Sequence, residues 1–248
     1  MSDEPQQLKV QVTDRESVTA LIYPAAKAHR AGVTLLLGHG AGGNQMAGFM
    51  RLFARGLAAR GIDTSTFNFL YSEQGRSSPE PAARLESCYR SVIEALLRHT
   101  KLKGNRLFIG GKSMGGRIGS QVAAQLAATR TAKTGKANAS ASTSVSKTDI
   151  AGLVFLGYPL HPPGKPEQLR DKHLKEIGAP MLFVQGTRDP FGSPDEFRGV
   201  IKRLRLAAKL HLIEGGDHSF KVTKSAGLSQ NEVYASAIEA IVAWLQTK

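Results

Sequence analysis

The fold is decided by residues 107–117, which read LFIGGKSMGGR. A short apolar run typical of a buried strand leads directly into a G-x-S-x-G sequence at residues 111–115, and apolar residues at helical spacing follow it. A serine at such a sharp strand-to-helix turn has a strained backbone, and the flanking glycines remove the Cβ atoms that would clash there. The pattern therefore predicts that Ser113 is presented at the edge of a sheet, close to the N-terminus of a helix.

The same residues partly match a phosphate-binding loop, since Gly111, Lys112 and Ser113 form a Gly-Lys-Ser triplet. Such a loop needs a glycine five residues before its Gly-Lys, with a flexible loop between them. Here residues 105–109 have the composition of a strand. The spacing therefore argues against a phosphate-binding loop.

On both sides of this stretch, short apolar runs alternate with helix-periodic segments, as in a parallel sheet with crossover helices. The first two predicted strands are too close together for a helix between them, so they should form an antiparallel hairpin. The sequence predicts an α/β fold with a mostly parallel eight-stranded sheet and helices on both faces, in a single domain over residues 1–248. The predicted strands are residues 8–12, 18–23, 33–37, 64–69, 107–109, 152–156, 181–184 and 210–213.

Two other segments have a distinctive composition. Apolar residues repeat at intervals of three and four across residues 85–97, which predicts a helix whose buried stripe includes Cys88. Residues 129–148 contain no acidic residue and almost no bulky apolar one. They cannot bury enough surface to fold alone, so we expect a flexible surface loop, and a solvated linker is preferred over a binding segment for an anionic partner.

The bulk composition limits the class of protein. The net charge is +13, from 33 Lys and Arg against 20 Asp and Glu, but the basic residues are dispersed without long runs, which argues against nucleic-acid binding as the main role. No apolar run approaches the roughly 20 residues that cross a bilayer. The polar, acidic start and a lone cysteine, Cys88, give no sign of export, so a cytoplasmic protein without a membrane association is expected.

Serine is a weak nucleophile at neutral pH, so a base and a group that orients this base are needed. Asp189 lies in a turn after the predicted strand 181–184, and His218 lies in a loop after the last predicted strand. Both follow the carboxyl ends of strands, where the ligands of such sheets bind. The order Ser113, Asp189, His218 is the one that a G-x-S-x-G elbow uses in this architecture.

Other residues could take part. Asp217 is adjacent to His218, but neighbouring side chains usually diverge, so Asp189 is preferred as the orienting acid, and Asp195 and Glu214 are weaker candidates. His161 follows a strand in the stiff sequence GYPLHPPG, and a pocket-lining role and a structural role are equally open for it.

The loop after the third predicted strand, residues 38–44 with the sequence GHGAGGN, contains four glycines. Glycines let backbone amides approach a bound carbonyl oxygen closely. We expect the amides of Ala41 and Met114 to form an oxyanion hole. The alternative is a glycine-rich turn that serves only to start a helix, and the sequence alone hardly distinguishes the two. His39 and Lys112, beside these amides, are candidate pocket residues.

Taken together, these elements resemble the α/β-hydrolase superfamily over nearly the whole chain. The sequences HGAGGN, FNFLYSEQGR (residues 67–76), GGKSMGGR and GYPLHPPGKP resemble a branch of small dienelactone-hydrolase-like predicted hydrolases without an assigned substrate. Dienelactone hydrolases proper have a cysteine nucleophile, so the presence of Ser113 puts their reaction in doubt. Residues 158–180 are too few for the large lid of many lipases, which predicts an open pocket and a small or extended substrate.

These observations predict a serine hydrolase that cleaves a carboxylic ester or related small acyl substrate through an acyl-enzyme, without a metal or an organic cofactor. Lys112, Arg76 and the positive net charge could attract an anionic acyl substrate. The alternative is a noncatalytic protein of the same fold that binds a protein or nucleic acid through its basic surface, because a fold does not guarantee an activity. The oligomeric state is not predicted.

Overall fold

The computed structural model describes residues 4–26, 30–134, 149–223, 227 and 229–248. In these ranges eight strands form one sheet with the order β1-β2-β4-β3-β5-β6-β7-β8. The strands are β1 (Gln6–Gln11), β2 (Ser17–Tyr23), β3 (Val33–Gly38), β4 (Asp63–Phe67), β5 (Arg106–Lys112), β6 (Ile150–Leu156), β7 (Met181–Gly186) and β8 (Ala208–Ile213). The helices are α1 (Gly48–Ala58), α2 (Leu70–Glu73), α3 (Ala82–Arg98), α4 (Met114–Thr134), α5 (Pro194–Leu204) and α6 (Gln230–Gln246).

The sheet is mostly parallel. Strand β1 pairs with β2 in an antiparallel hairpin, β2 is antiparallel to β4, and the strands from β4 to β8 in the sheet order are parallel to one another. The predicted α/β fold with an N-terminal hairpin is therefore confirmed. Parallel pairing places the carboxyl ends of β3, β5, β7 and β8 at one edge of the sheet, which we call the carboxyl edge.

Helices cover both faces of the sheet, as predicted. Helices α1 and α6 contribute Phe53 and Ile238 to an apolar cluster with strand residues such as Leu35. Helices α3, α4 and α5 pack on the other face. The stripe predicted over residues 85–97 belongs to α3 and is buried as far as Leu96, but Leu97 is 43% exposed and does not belong to it. Cys88 is fully buried there, and burial raises the pKa of its thiol to about 12. Cys88 is therefore a core residue.

The predicted start of a loop at Thr129 is wrong, because α4 continues to Thr134. No glycine or proline interrupts the sequence between Gly119 and Thr134, so the helix has no reason to end where the apolar pattern stops. The remainder of the predicted loop, residues 135–148, lies outside the described residues. Residues 157–180 join β6 to β7 through a short 3₁₀ turn at Leu174–Glu176, without a large lid domain. None of the helices in the described ranges is both long and apolar enough to span a bilayer.

Candidate active site

The elbow between β5 and α4 is the centre of the site. Ser113 has a φ of 51°, in the left-handed region that non-glycine residues rarely adopt. The turn packs tightly against β3, and a Cβ atom at Gly111 or Gly115 would collide with the carbonyl oxygen of Gly38. The amide of Ser113 donates to the carbonyl of Leu156 on the neighbouring strand β6 (3.1 Å). The two glycines thus let α4 start directly over the sheet and hold the serine at its carboxyl edge.

A continuous chain of hydrogen bonds joins Ser113, His218 and Asp189. The Oγ of Ser113 lies 2.8 Å from Nε2 of His218, and Nδ1 of the same ring lies 2.7 Å from Oδ2 of Asp189. The structure thus brings together three residues that are 29 and 105 positions apart along the chain. With Nδ1 protonated, Nε2 of the neutral ring is free to accept the proton of the serine hydroxyl.

The carboxylate of Asp189 is buried and held by further donors. The side-chain amide of Gln185 donates to Oδ2 at 2.6 Å, and the backbone amide of Phe191 donates to Oδ1 at 2.9 Å. The side chain of Asp189 has no exposed surface. The ring of Phe191 also packs on His218, with centroids 4.2 Å apart. Both the carboxylate and the imidazole therefore have fixed orientations.

Asp217, the alternative acid, has a different role. Its Oδ1 accepts hydrogen bonds from the backbone amides of Ser219 (2.7 Å) and Lys221 (2.9 Å). This arrangement closes the turn that carries His218 and directs the Asp217 carboxylate into that turn.

Lys112 lies beneath the His218 loop. Its Nζ donates to the backbone carbonyl of His218 at 2.7 Å and lies 5.7 Å from the centre of the Phe49 ring. The residue is 9% exposed, and burial lowers the pKa of its ammonium group to about 8 in spite of the opposing charges of Asp189 and Asp217. Lys112 is thus on the cavity wall, and its charge is directed at the histidine loop.

The two residues whose amides are expected to form an oxyanion hole both line the cavity. The amide of Met114 is the first of α4, and that of Ala41 lies in the glycine-rich loop. Neither amide has a hydrogen-bond acceptor among the residues that the structure describes. Two such donors beside a serine can stabilise the negative charge that develops on an attacked carbonyl oxygen.

His39 supports this loop from within and also lines the cavity. Its Nδ1 donates to the carbonyl of Gly40 (2.9 Å), and its Nε2 accepts from the amide of Phe69 (3.3 Å). The ring is 1% exposed, and burial lowers its pKa, which favours the neutral form. His39 thus links the glycine-rich loop to the segment that follows β4.

The cavity has a volume of about 600 Å³ and opens above Ser113 and His218. Apolar side chains form much of its wall, and three charged residues that were not predicted, Arg117, Arg170 and Glu80, also line it. Arg117 could have been predicted as a cavity residue from its spacing, because it lies four residues after Ser113 and therefore one helical turn along α4. Arg170 and Glu80 are brought in by segments without a recognisable pattern.

Two other candidates lie outside this cavity. His161 is 5% exposed, with Nδ1 donating to the carbonyl of Pro162 (2.8 Å) and Nε2 lying 3.2 Å from Oε1 of Glu196. Of the two roles left open for it, its contact with the first turn of α5 favours the structural one. Arg76 binds the side chains of Gln74 and Glu80 and does not line the cavity.

A doubly wound sheet with a serine at this turn is the architecture of the α/β-hydrolases. The chain belongs to this superfamily, because a family model described as an alpha/beta hydrolase domain matches residues 31–246.

Solved structures of low sequence identity share the fold. An alpha-beta serine hydrolase homologue from Coxiella burnetii matches with a TM-score of 0.70 and 16% identity, covering 99% of this chain and 98% of that one. Dienelactone hydrolase from Anabaena variabilis matches with a TM-score of 0.69 and 17% identity, covering 98% of both chains. A serine hydrolase without a lid from Xanthomonas campestris matches with a TM-score of 0.66 and 15% identity, covering 98% and 96%. The fold and the superfamily support a hydrolase in general terms.

Proposed function

We propose that this protein is a serine hydrolase that cleaves a carboxylic ester or a related small acyl substrate. The observation that carries the proposal is the hydrogen-bonded chain from buried Asp189 through His218 to Ser113, which ends in a cavity beside two free backbone amides. The serine hydrolases among the structures of similar fold support the same class of reaction.

In this proposal, Ser113 Oγ attacks the carbonyl carbon while Nε2 of His218 takes the hydroxyl proton. The carbonyl oxygen becomes an oxyanion, which accepts hydrogen bonds from the amides of Met114 and Ala41. The tetrahedral intermediate collapses, the bond to the leaving oxygen breaks, and His218 returns the proton to the departing alcohol. Asp189 stays ionised throughout and stabilises the imidazolium through the Nδ1 hydrogen bond.

The acyl-enzyme is then hydrolysed by the same groups, with His218 again acting first as a base and then as an acid. A water molecule takes the place of the alcohol, His218 removes one of its protons, and the new C–O bond forms as the water oxygen attacks the acyl carbon. Collapse releases the carboxylic acid and returns the proton to Ser113. The products are one alcohol and one acid for each water consumed.

The first test is reaction with a fluorophosphonate probe, followed by intact-mass spectrometry. We expect one adduct on the wild type and none on Ser113→Ala or His218→Ala, because the probe requires an activated serine but no knowledge of the substrate. Ser120→Ala is the matched control. Ser120 Oγ also lies 2.7 Å from a histidine nitrogen, Nε2 of His173 in the segment between β6 and β7, but Ser120 is fully buried in α4 and should not react.

A folded wild type that gains no adduct would contradict the proposal and favour a noncatalytic binding protein. Folding of each variant is checked by circular dichroism and thermal unfolding. Hydrolysis of p-nitrophenyl butyrate by the same set of proteins then tests turnover, which labelling alone does not require.

A further inference from the structure

Two arginines line the cavity within reach of the proposed nucleophile. Arg117 lies in the first turn of α4, one helical turn after Ser113, and Arg170 lies in the segment between β6 and β7. Each is partly buried. The backbone of Arg170 is fixed, because its amide donates to Leu160 and its carbonyl accepts from the hydroxyl of Tyr158 (both 2.8 Å). The two arginines therefore line the cavity from two different parts of the fold.

Neither guanidinium group has a carboxylate partner within the described part of the chain. The Nη1 of Arg117 makes one long hydrogen bond, 3.5 Å, to the side chain of Gln121, and the guanidinium of Arg170 makes none there. Asp171, the nearest acid in sequence, is bound by Arg203. Burial and the charge of Arg117 both lower the pKa of Arg170, so the two cations lie close enough to repel each other.

The other charges around the cavity do not neutralise this pair. Glu80 lies on the cavity wall, but its Oε1 accepts from Arg76 at 3.0 Å and lies 3.7 Å from Nε of Arg84. The ammonium group of Lys112 is bound to the carbonyl of His218, and Asp189 lies behind the imidazole. The buried Oε2 of Glu80 accepts no hydrogen bond from the described residues, but the Glu80 carboxylate is paired with two arginines through Oε1, so the charge on the cavity wall without an ionic partner is positive.

We propose that Arg117 and Arg170 are specificity-determining residues that bind a carboxylate on the substrate, so that the preferred ester carries a second, anionic group. This inference rests on the proposed serine hydrolase function and adds the substrate class. A guanidinium group presents a planar set of donors that matches a carboxylate, and two of them can hold it from two sides. The anion also removes the repulsion between the two cations, which an uncharged substrate leaves in place.

The test compares matched esters on the same enzyme. The first pair is p-nitrophenyl hydrogen glutarate and its neutral methyl ester, in which the charge lies on the acyl side. The second pair is 4-carboxyphenyl butyrate and 4-(methoxycarbonyl)phenyl butyrate, in which the charge lies on the leaving group. Spontaneous hydrolysis of each ester is subtracted. We expect the wild type to prefer the charged member of one pair by about tenfold to a hundredfold in kcat/KM, and the pair that responds locates the carboxylate.

The variants Arg117→Ala and Arg170→Ala should each lose most of this preference, because kcat/KM for the charged ester falls far more than kcat/KM for its neutral partner. Arg117→Lys keeps the charge but not the planar donors, so an intermediate preference is expected. Arg198→Ala is the matched control. Arg198 is exposed and pairs with Asp195 on α5, so this variant loses the same charge without touching the cavity and should keep the wild-type preference.

A second readout does not need turnover. Glutarate should slow the fluorophosphonate labelling of wild-type Ser113 more than neutral glutaramide does, and this difference should vanish in the double variant of Arg117 and Arg170. Equal rates on charged and neutral esters, or an unchanged preference in both single variants, would overturn the carboxylate proposal while labelling of Ser113 still supports the hydrolase. A wild type that neither labels nor hydrolyses any ester overturns both.

Discussion

Two buried carboxylates at opposite edges of the sheet have nearly the same surroundings. Asp189 follows β7 at the carboxyl edge and accepts from Phe191, Gln185 and His218. Asp63 begins β4 at the amino edge and accepts from the amide of Ala25 (2.9 Å), Nε of Arg30 (2.9 Å) and the side chain of Asn105 (2.8 Å). Both carboxylate side chains are at most 1% exposed.

The difference lies in where each hydrogen-bond chain ends. From Asp63 the chain passes through Arg30 to the backbone carbonyl of Lys101, so all its members are used within the protein. From Asp189 it passes through His218 to the hydroxyl of Ser113, which faces a cavity. Burial and hydrogen bonding alone therefore do not distinguish a structural carboxylate from a functional one. The last group of the chain does, because the Asp63 chain also borders a cavity but ends at a backbone carbonyl, whereas the Asp189 chain ends at a hydroxyl.

The largest expected effect comes from Asp189→Asn. The variant keeps the shape of the side chain but removes the charge that stabilises the imidazolium of His218, so kcat for p-nitrophenyl butyrate should fall by about 10³- to 10⁴-fold. The midpoint of urea unfolding should change far less than the rate. A loss of kcat below about tenfold would remove Asp189 from the proposed mechanism.

The reverse pattern is expected for Asp63→Ala. This variant leaves Arg30, Asn105 and the Ala25 amide without their acceptor, so the free energy of unfolding should fall by about 2–4 kcal/mol, as measured by urea denaturation. The kcat of the folded protein should stay within about twofold of the wild type. Asp195→Ala, which removes a solvent-exposed partner of Arg198, is the control and should change stability by less than about 1 kcal/mol. Loss of activity in folded Asp63→Ala would contradict the structural interpretation.

A second Ser–His contact, between Ser120 and His173, can be compared with the Ser113–His218 contact through its effect on the pH dependence of stability. Ser120 Oγ lies 2.7 Å from Nε2 of His173, but the neighbouring acid, Asp171, is bound to Arg203. Burial, with a smaller contribution from Arg117, lowers the pKa of His173 to about 4. Between pH 6.5 and 4 the unfolded chain therefore binds a proton that the folded protein does not.

Stability should consequently fall as the pH decreases through this window, by about 2 kcal/mol for His173. His173→Asn should flatten that part of the curve of unfolding free energy against pH, while the fluorophosphonate labelling of Ser113 persists at neutral pH. An unchanged slope in His173→Asn would show that other groups carry the acid sensitivity. Loss of labelling would instead connect this pair to the active site.

The sequence predicted what depends on local pattern and on chain order. The G-x-S-x-G turn places Ser113 because only a glycine-flanked strand-to-helix elbow accommodates that backbone, and the parallel sheet brings the loops after β7 and β8 to the same edge. The sequence could not predict that Arg170 enters the cavity, or that Lys112 reaches the carbonyl of His218, 106 residues away. Such contacts depend on the exact paths of loops. The same holds for His161, whose two possible roles the sequence left open, since a loop at the active edge can still direct its side chain towards a helix.

The smallest expected effect concerns Lys112. In Lys112→Met the carbonyl of His218 loses its donor, so the imidazole is held less firmly, and we expect a loss of about three- to tenfold in both kcat and the rate of fluorophosphonate labelling. Lys112→Arg keeps a cationic donor and should recover part of both rates. If Met and Arg at this position behave alike, the contact is not what positions the histidine.

The pH dependence of stability provides an independent check on the same contact. Because the pKa of Lys112 is lowered to about 8, the unfolded chain holds a proton between pH 8 and about 10.5 that the folded protein has released. This one group therefore makes the wild type more stable as the pH rises through that range, and Lys112→Met should lose this contribution. If the difference in unfolding free energy between the two proteins is the same at pH 7.5 and pH 10, the ammonium group of Lys112 is not desolvated under the His218 loop. The contacts of His218 with Asp189 and with Lys112 thus have different expected effects on the reaction. Asp189 controls the charge on the imidazole, whereas Lys112 controls only the position of the ring.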